Sequence, residues 1–162
     1  MWGDIPTWLG LALAAAALVY AARQVSLAAK QREDSLTAQL ATERSVEGSL
    51  LLQIDDRLND FADVHVLLRP GGAWQAELGG PASAEEWSRV EGYLGALERV
   101  GVMVESGSLR PEIVAKLYGY RLRNIYANAQ IREQKLVRRA DGWQDLLRLI
   151  DVVEATGYSV RA

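Results

Sequence analysis

The sequence predicts an all-α protein in which an N-terminal transmembrane helix and a linker helix precede a small cytoplasmic antiparallel helical bundle. Residues 5–22 contain no charged side chain, and the rest of the chain repeats apolar residues at three- and four-residue spacing, as amphipathic helices do. No alternating pattern typical of a strand occurs. The expected divisions are residues 1–22 for the transmembrane anchor, 23–47 for the linker, 48–157 for the bundle and 158–162 for a tail.

Composition limits the chemistry that the chain can perform. Its 162 residues, 49% of them hydrophobic, can bury one modest core. The net charge of −3 lacks the basic excess of a dedicated nucleic-acid-binding protein, so no nucleic-acid partner is expected. The absence of cysteine excludes disulfides, thiol nucleophiles, Cys-bound zinc and iron–sulfur clusters, and the single histidine, His65, excludes sites built on two imidazoles. No catalytic, cofactor-binding or metal site is assigned.

The uncharged N-terminal run is long enough to cross a bilayer with help from its flanks. Eighteen residues at about 1.5 Å each span roughly 27 Å, slightly less than the hydrocarbon core. Aromatic rings at both ends and basic residues after the run are expected at the membrane interface, namely Trp2, Trp8, Tyr20, Arg23 and Lys30. Because the basic residues follow the run, the positive-inside rule puts the N-terminus outside and the C-terminal part in the cytoplasm.

A cleaved signal peptide and a buried core helix are the alternatives to a membrane anchor. A signal peptide begins with basic residues, whereas Asp4 is the only charge before this run. A core helix in contact with water needs a polar face, which residues 5–22 lack. Gly10, Ala14, Ala17 and Ala21 place small residues four apart, so self-association of two such helices is a further hypothesis.

The segment after the anchor predicts a weak linker followed by a clearer helix. A heptad drawn from Ala29 to Phe61 has only six apolar positions in ten, which favours a stalk over a coiled coil. From Leu51 to Leu68 the apolar residues form one stripe that includes His65. Nearby acids raise the alternative of a metal or general-base site, but they fall on the opposite face, at Asp55, Asp56, Asp60 and Asp63. A solvated acidic face and a core histidine with a local hydrogen bond are therefore expected.

Glycine, proline and capping residues predict the next boundaries. The glycine pairs at 71–72 and 79–80 indicate turns rather than a phosphate-binding loop, since neither has the spacing of one. Ser83 and Glu86 form a capping box that opens a helix ending near Gly107. Glycines inside it, at 92, 95 and 101, are expected where a neighbouring helix approaches closely.

A basic helix is expected to begin at Pro111 and to continue, with a break allowed, to about Val137. Residues 108–141 hold eight basic and three acidic side chains, a net charge of +5. The candidate basic face consists of Lys116, Arg121, Arg123, Arg132, Lys135, Arg138 and Arg139. Three interpretations are open for it: pairing with acidic helices of the same chain, contact with anionic lipid or a protein partner, and contact with nucleic-acid phosphate, the last without a supporting motif.

The last helix is expected to be capped by Asp141, to bury a stripe that begins at Trp143, and to end at Gly157. Together with the preceding helices it supplies four amphipathic stripes, and antiparallel packing is the simplest way to bury them.

A family resemblance rests on the run VEGYLGALERVGVMVESGSLRPEIVAKLYGYRLRNIYANAQI, which begins at Val90, and on WQDLLRLIDVV, which ends at Val153. These segments resemble a family of small bacterial membrane proteins known only as a domain of unknown function. The positions that match are Glu98, Gly107, Leu117, Tyr118, Gly119 and Trp143. The resemblance covers roughly residues 90–152. It implies a cytoplasmic helical domain on a single-pass anchor in the bacterial inner membrane, and it implies no activity or cofactor.

Two function classes follow. The first is a non-catalytic interaction or regulatory module, anchored in the membrane, with lipid and an unidentified protein as partners. The second is a membrane-bound enzyme that uses carboxylate and arginine side chains, for which Glu91, Glu98, Arg121 and Arg123 are the candidates. The first is favoured because ion pairs that stabilise a fold are far more common than catalytic ones.

Overall fold

The computed structural model describes residues 7–76 and 78–161, and every regular element within them is helical. The α-helices are α1 Thr7–Asn59, α2 Ala62–Leu68, α3 Ala84–Glu105, α4 Pro111–Ala127, α5 Ala129–Ile131 and α6 Gln144–Ala155. A π-helical segment, Arg132–Val137, and a 3₁₀ turn, Ala140–Gly142, lie between α5 and α6. The predicted all-α class is confirmed for the described residues. The chain divides into two compact units, Met1–Val46 and Glu47–Ala162.

Helix α1 is one continuous helix that runs through the predicted anchor, the predicted linker and the start of the following helix. Its 53 residues pass residues 22–23 and 47–48 without interruption. The physical reason lies in the sequence, which between Gly10 and Gly48 has no glycine or proline to end a helix. The predicted helix from Leu51 to Leu68 is divided instead, because the chain turns at Asp60 and Phe61 before α2 begins.

In the first unit, every described side chain between Ala12 and Val46 is exposed. The N-terminal part of α1 is long and apolar enough to cross a membrane, and none of its most apolar window is buried. A signal sequence near the N-terminus meets the same criteria of length and composition. Of the expected interface residues, Tyr20, Arg23 and Lys30 are exposed, whereas Trp2 and the side chain of Trp8 lie outside the described residues.

The second unit holds the hydrophobic core. Helix α3 packs along α6, and α4 packs against α6 and α2. The fully buried side chains of large volume are Leu58, Tyr93, Leu94, Leu97, Leu109, Tyr118, Leu122, Ile125, Ile131, Leu146, Leu149 and Ile150. The predicted tail is part of this core as well, because Val160 is buried and Tyr158 packs against it.

The predicted capping box of α3 is confirmed. The Glu86 backbone N–H donates to Ser83 Oγ at 3.1 Å, and Glu86 Oε2 accepts from the backbone of Ser83 and Ala82 at 3.0 and 2.7 Å. These backbone donors hold the pKa of Glu86 below its ordinary value. The helix ends at Glu105, and Gly107 follows with φ +73°, a conformation that glycine adopts without strain.

Helix α4 begins at Pro111 as predicted and ends at Ala127, and the break that the prediction allowed lies at Asn128, after which helical turns continue to Val137. Asn128 leaves the helical conformation and is fully buried. Its Nδ2 donates to the carbonyls of Trp74 and Gly79 at 2.7 and 2.8 Å, and its Oδ1 accepts from the Ile131 backbone at 2.9 Å. The break therefore places Asn128 where it gives hydrogen bonds to two backbone carbonyls of a loop about fifty residues earlier in the chain.

The predicted cap of the last helix is wrong. Asp141 is exposed in the 3₁₀ turn Ala140–Gly142, three residues before α6 begins at Gln144. The N-cap position of α6 is Trp143, which offers no side-chain hydrogen bond. Burial, and then the charge of Asp145 in the first turn of α6, raise the pKa of Glu98 on α3.

Close approach explains two of the three α3 glycines. A Cβ at Gly101 would overlap the Asp145 carbonyl oxygen, and a Cβ at Gly92 would overlap the Phe61 ring. At Gly95 nothing lies within 4 Å, so the expected neighbour is absent there among the described residues. Gly101 is the stricter position, because its obstacle is backbone and cannot rotate away.

Gly101→Ala and Gly95→Ala form a matched pair on one helix. We expect Gly101→Ala to lower the free energy of unfolding by about 1–3 kcal/mol through overpacking. We expect Gly95→Ala to raise it by up to about 1 kcal/mol, since alanine favours the helix and has room. Urea unfolding of both variants in mild detergent, followed by circular dichroism, measures the difference. Equal effects at the two positions would contradict the proposed α3–α6 contact.

Candidate interaction surface

The seven residues predicted as a basic face do not lie on one helix. Lys116, Arg121 and Arg123 are on α4. The other four follow the break at Asn128: Arg132 and Lys135 are in the π-helical segment Arg132–Val137, and Arg138 and Arg139 are in the turn after it. Contacts within the chain occupy Arg121, Arg132, Lys135 and Arg138. Lys116, Arg123 and Arg139 are exposed and have no ion pair with any described residue.

Lys135 is the most enclosed of the seven. Its side chain is 8% exposed, pairs with the Glu91 carboxylate of α3, and lies 4.9 Å from the centre of the Trp87 ring. It belongs to the π-helical segment Arg132–Val137, an irregularity that is often found where a side chain must reach a specific partner. Because Lys135 is desolvated and paired with Glu91, its ammonium group belongs to a structural ion pair and is not accessible to a lipid headgroup.

Arg121, Arg132 and Arg138 also have partners in the same chain. Arg121 is half-buried and donates to the Tyr93 hydroxyl at 3.3 Å. Arg132 donates to the Tyr126 carbonyl at 2.8 Å, and Arg138 lies 3.4 Å from a Glu133 carboxylate oxygen. Lys135 pairs with a carboxylate on another helix and Arg138 with one in its own segment, whereas Arg121 and Arg132 contact a hydroxyl and a backbone carbonyl. Pairing with another, acidic helix therefore describes Lys135 among the seven.

The outer face of α4 remains as a candidate surface, defined by Lys116, Leu117, Tyr120 and Arg123. All four side chains are exposed, and they occupy neighbouring positions on one side of the helix. The Arg123 guanidinium lies 5.9 Å from the centre of the Tyr158 ring. The face combines two cations with apolar and aromatic area, a composition that suits an anionic membrane surface or an acidic partner.

His65 has no local hydrogen bond, contrary to the expectation. Its Nδ1 is buried and has no partner among the described residues, while its ring packs edge-on against Tyr120 at 5.5 Å between centres. Burial first, and then the charges of Arg121 and Arg69, hold the pKa of His65 below its ordinary value.

The acids near His65 are exposed, and several also bind distant partners. Asp55 Oδ1 accepts from the Tyr118 hydroxyl at 2.9 Å, and the Asp63 carboxylate pairs with Arg89. Burial and the Asp55 bond raise the pKa of Tyr118 well above its ordinary value. Within the part of the chain that the structure describes, no group of three or more histidine and carboxylate side chains is placed to hold a metal ion.

Glu47, in the C-terminal part of α1, contacts Arg110, the residue that precedes α4. Arg110 donates to the Glu47 carboxylate from its backbone at 3.1 Å and from its guanidinium at 2.8 Å. Glu47 is 8% exposed, and the hydrogen bond from the Arg110 side chain holds its pKa below the ordinary value. The residues are 63 apart in sequence, and no local pattern could have revealed the pair.

The four residues considered for catalysis do not converge. Glu91 pairs with Lys135, Glu98 is influenced by the charge of Asp145, Arg121 contacts Tyr93, and Arg123 lies over Tyr158. A groove of about 350 Å³ lies between the C-terminal part of α3 and α6, with apolar walls. Its charged residues are Glu105, Arg148 and Asp151, and Arg148 is paired with Glu105 at 3.3 Å.

Two glutamates in this unit should respond to pH in opposite directions. The lowered pKa of Glu47 means that its stabilising contribution is present above its unfolded pKa and is lost as pH falls through the folded pKa. Burial, with Asp145 nearby, raises the pKa of Glu98, so its contribution is present at low pH and is lost as pH rises through the folded pKa.

Glu47→Gln and Glu98→Gln test this pair of opposite shifts. Between about pH 3 and pH 7, we expect Glu47→Gln to lose stability relative to the unmodified chain as pH rises, and Glu98→Gln to gain it. Thermal unfolding of both variants across this range measures the two slopes. If the stability of both variants relative to the unmodified chain changed with pH in the same direction, the pKa shift of one of the two glutamates would be assigned wrongly.

Comparison with known proteins assigns neither a family nor a homologue. No family model matches the chain, no curated protein is similar to it, and no solved structure matches its fold.

Proposed function

We propose that this protein is a single-pass membrane-anchored interaction or regulatory module, in which α1 spans the bilayer and the helical unit from Glu47 onward binds a partner at the cytoplasmic face. The observation that carries the proposal is the exposed apolar part of α1. Leu13, Leu18, Val19 and Tyr20 are 60–72% exposed, and no described part of the chain covers them. A bilayer is the simplest environment for such a surface.

The energetic argument follows from the number of exposed apolar side chains. Each large apolar side chain gains about 1.5–3 kcal/mol when it leaves water. The run also contains seven alanines, which favour a helix and leave every backbone hydrogen bond satisfied inside it. A spanning helix therefore satisfies both the side chains and the backbone, whereas a helix left in water satisfies only the backbone.

The direction of insertion is proposed from the charges. Arg23, Lys30 and Arg32 follow the apolar run, and only Asp4 precedes it. Cytoplasmic loops retain basic residues, which favours an external N-terminus and a cytoplasmic C-terminal unit. The same arrangement is implied by the resemblance to small bacterial membrane proteins of unknown function, so we propose the bacterial inner membrane as the location.

A non-catalytic role is proposed because the polar side chains of the second unit bind one another. The carboxylates at 47 and 91 pair with Arg110 and Lys135. Paired groups of this kind stabilise helix contacts and leave no convergent acid and base for a substrate. We therefore propose that the second unit is an antiparallel helical bundle that binds a partner through its surface. The outer face of α4 is the proposed binding site.

Extraction of membranes tests the anchor. We expect the full chain to stay in the membrane pellet after washing at alkaline pH, because a spanning helix is removed only by detergent. A variant that lacks residues 1–22 should appear in the soluble fraction. Release of the full chain by the wash would contradict anchoring.

The orientation can be tested separately, because the chain has no cysteine of its own. We expect a cysteine introduced as Gly3→Cys to react with a membrane-impermeant maleimide in intact cells. A cysteine introduced as Ser159→Cys, at an exposed position, should react only after the cells are permeabilised. Labelling of Ser159→Cys in intact cells would contradict a cytoplasmic C-terminal unit.

Liposome flotation of residues 24–162 tests lipid contact by the exposed basic residues. Each charge near an anionic surface contributes about 1 kcal/mol, so Lys116, Arg123 and Arg139 changed together to Gln should weaken binding to anionic vesicles on the order of 100-fold. The matched control changes Arg57, Arg148 and Arg161 to Gln, which removes the same charge from residues that already have acidic partners. Equal weakening by both triple variants would refute a specific lipid-binding face.

A further inference from the structure

Apolar residues of the first unit follow an 11-residue repeat along α1. Ala14, Val25 and Leu36 are spaced by eleven, and Leu18, Ala29 and Leu40 are spaced by eleven beside them. Eleven residues make about three turns of an α-helix, so all six lie within about 40° of Leu36 around the helix axis. We name these six residues the α1 stripe.

The α1 stripe has no partner in the structure. Leu18, Val25, Leu36 and Leu40 are all more than half exposed, and the alanines between them are exposed as well. Beyond the uncharged run, residues 23–46 are too polar to remain in the hydrocarbon core, so the membrane cannot cover Val25, Leu36 and Leu40. A long helix that buries no face depends on another helix for stability.

Charged residues on both sides of the stripe show which partner fits. Arg32 and Glu43 lie beside Leu36 on one edge of the stripe, and Glu33 and Arg44 lie beside Leu40 on the other edge. When two copies pack in parallel and in register, each side of one helix meets the opposite side of the other. Arg32 then faces Glu33 of the second copy, and Glu43 faces Arg44, which gives four complementary pairs about the twofold axis.

The reversed order of the two charge pairs also fixes the register. A slip of eleven residues would preserve the apolar stripe, but it would place Arg32 against Arg44 and Glu33 against Glu43. An antiparallel pair centred near Ala38 would match the charges. Insertion of both copies in one membrane with the same orientation excludes it.

We propose that the α1 stripe is a homodimer interface, in which two copies of this chain pair through parallel, in-register α1 helices on the cytoplasmic side of the anchor. The orientation of the pair rests on the proposed membrane insertion. The pairing surface itself rests on the 11-residue repeat and on the charges beside it. The pair would bring two copies of the helical unit to one place on the membrane.

Single cysteines in the full chain, in native membranes, test the pairing under mild oxidation. We expect disulfide-linked dimers at Val25→Cys, Ala29→Cys, Leu36→Cys and Leu40→Cys. The matched controls are Leu27→Cys and Ala38→Cys, exposed positions on the opposite side of the same helix, and their yield should be several-fold lower. Equal dimer yield on both sides of the helix, or no dimer at the stripe, would overturn the proposal. Disulfide linkage at the stripe positions 36 and 40 but not at 25 and 29 would also overturn it, because it would show an antiparallel pair.

Charge exchange supplies a second measurement with Leu36→Cys as the reporter. Arg32→Glu should lower the dimer yield about threefold, the size expected when exposed ion pairs become repulsive. Adding Glu33→Arg exchanges the two charges and should restore the yield, because each helix then offers the reverse pair. A double variant as weak as the single one would contradict the assigned register.

Failure of the pairing and failure of the anchor give different results. If the chain stays in the washed membrane pellet and the stripe gives no dimer, the pairing is wrong and the anchor stands. If the chain is soluble, the anchor is wrong, and the oxidation pattern of the soluble chain at positions 25, 27, 36 and 38 decides the pairing by itself.

Discussion

One constraint underlies the rest of the structure, namely the exposure of the uncharged and mostly apolar side chains of α1 between Ala12 and Ala22. Water does not favour such a surface, and the described part of the chain supplies nothing to cover it. A bilayer would remove these side chains from water while the helix satisfies its own backbone. The proposed anchoring follows from this surface, whereas the proposed orientation and pairing rest on the charges and the apolar repeat that come after it.

The second unit is held together by polar contacts between residues that are far apart in sequence. Glu47 binds Arg110, Asp55 binds Tyr118, and Asn128 binds the loop that contains Trp74. Each contact satisfies a buried or half-buried polar group that would otherwise lose its hydrogen bonds.

Local signals in the sequence predicted the elements whose causes are local. The capping box at Ser83, the start of α4 at Pro111 and the end of α3 beside Gly107 each depend on residues within one turn. The continuity of α1 was also present in the sequence, as the lack of any helix-breaking residue between Gly10 and Gly48.

Features with distant causes could not be predicted. The break at Asn128 depends on the carbonyls of Trp74 and Gly79, and the burial of Lys135 depends on Glu91 and Trp87. Counting basic residues gave a face of seven, whereas three remain exposed without an ion pair among the described residues. Periodicity specifies which side of a helix is apolar, and it does not specify which charges meet across helices.

The mass of the mature protein tests the central claim most directly. If the apolar segment is a permanent anchor, mass spectrometry of the protein purified from membranes should give the full 17.8 kDa chain, apart from removal of the initiating methionine. A mature chain that begins after Ala21 or Ala22 would mean that the segment is a cleaved signal sequence, and it would contradict the anchor, the cytoplasmic location and the parallel pairing together.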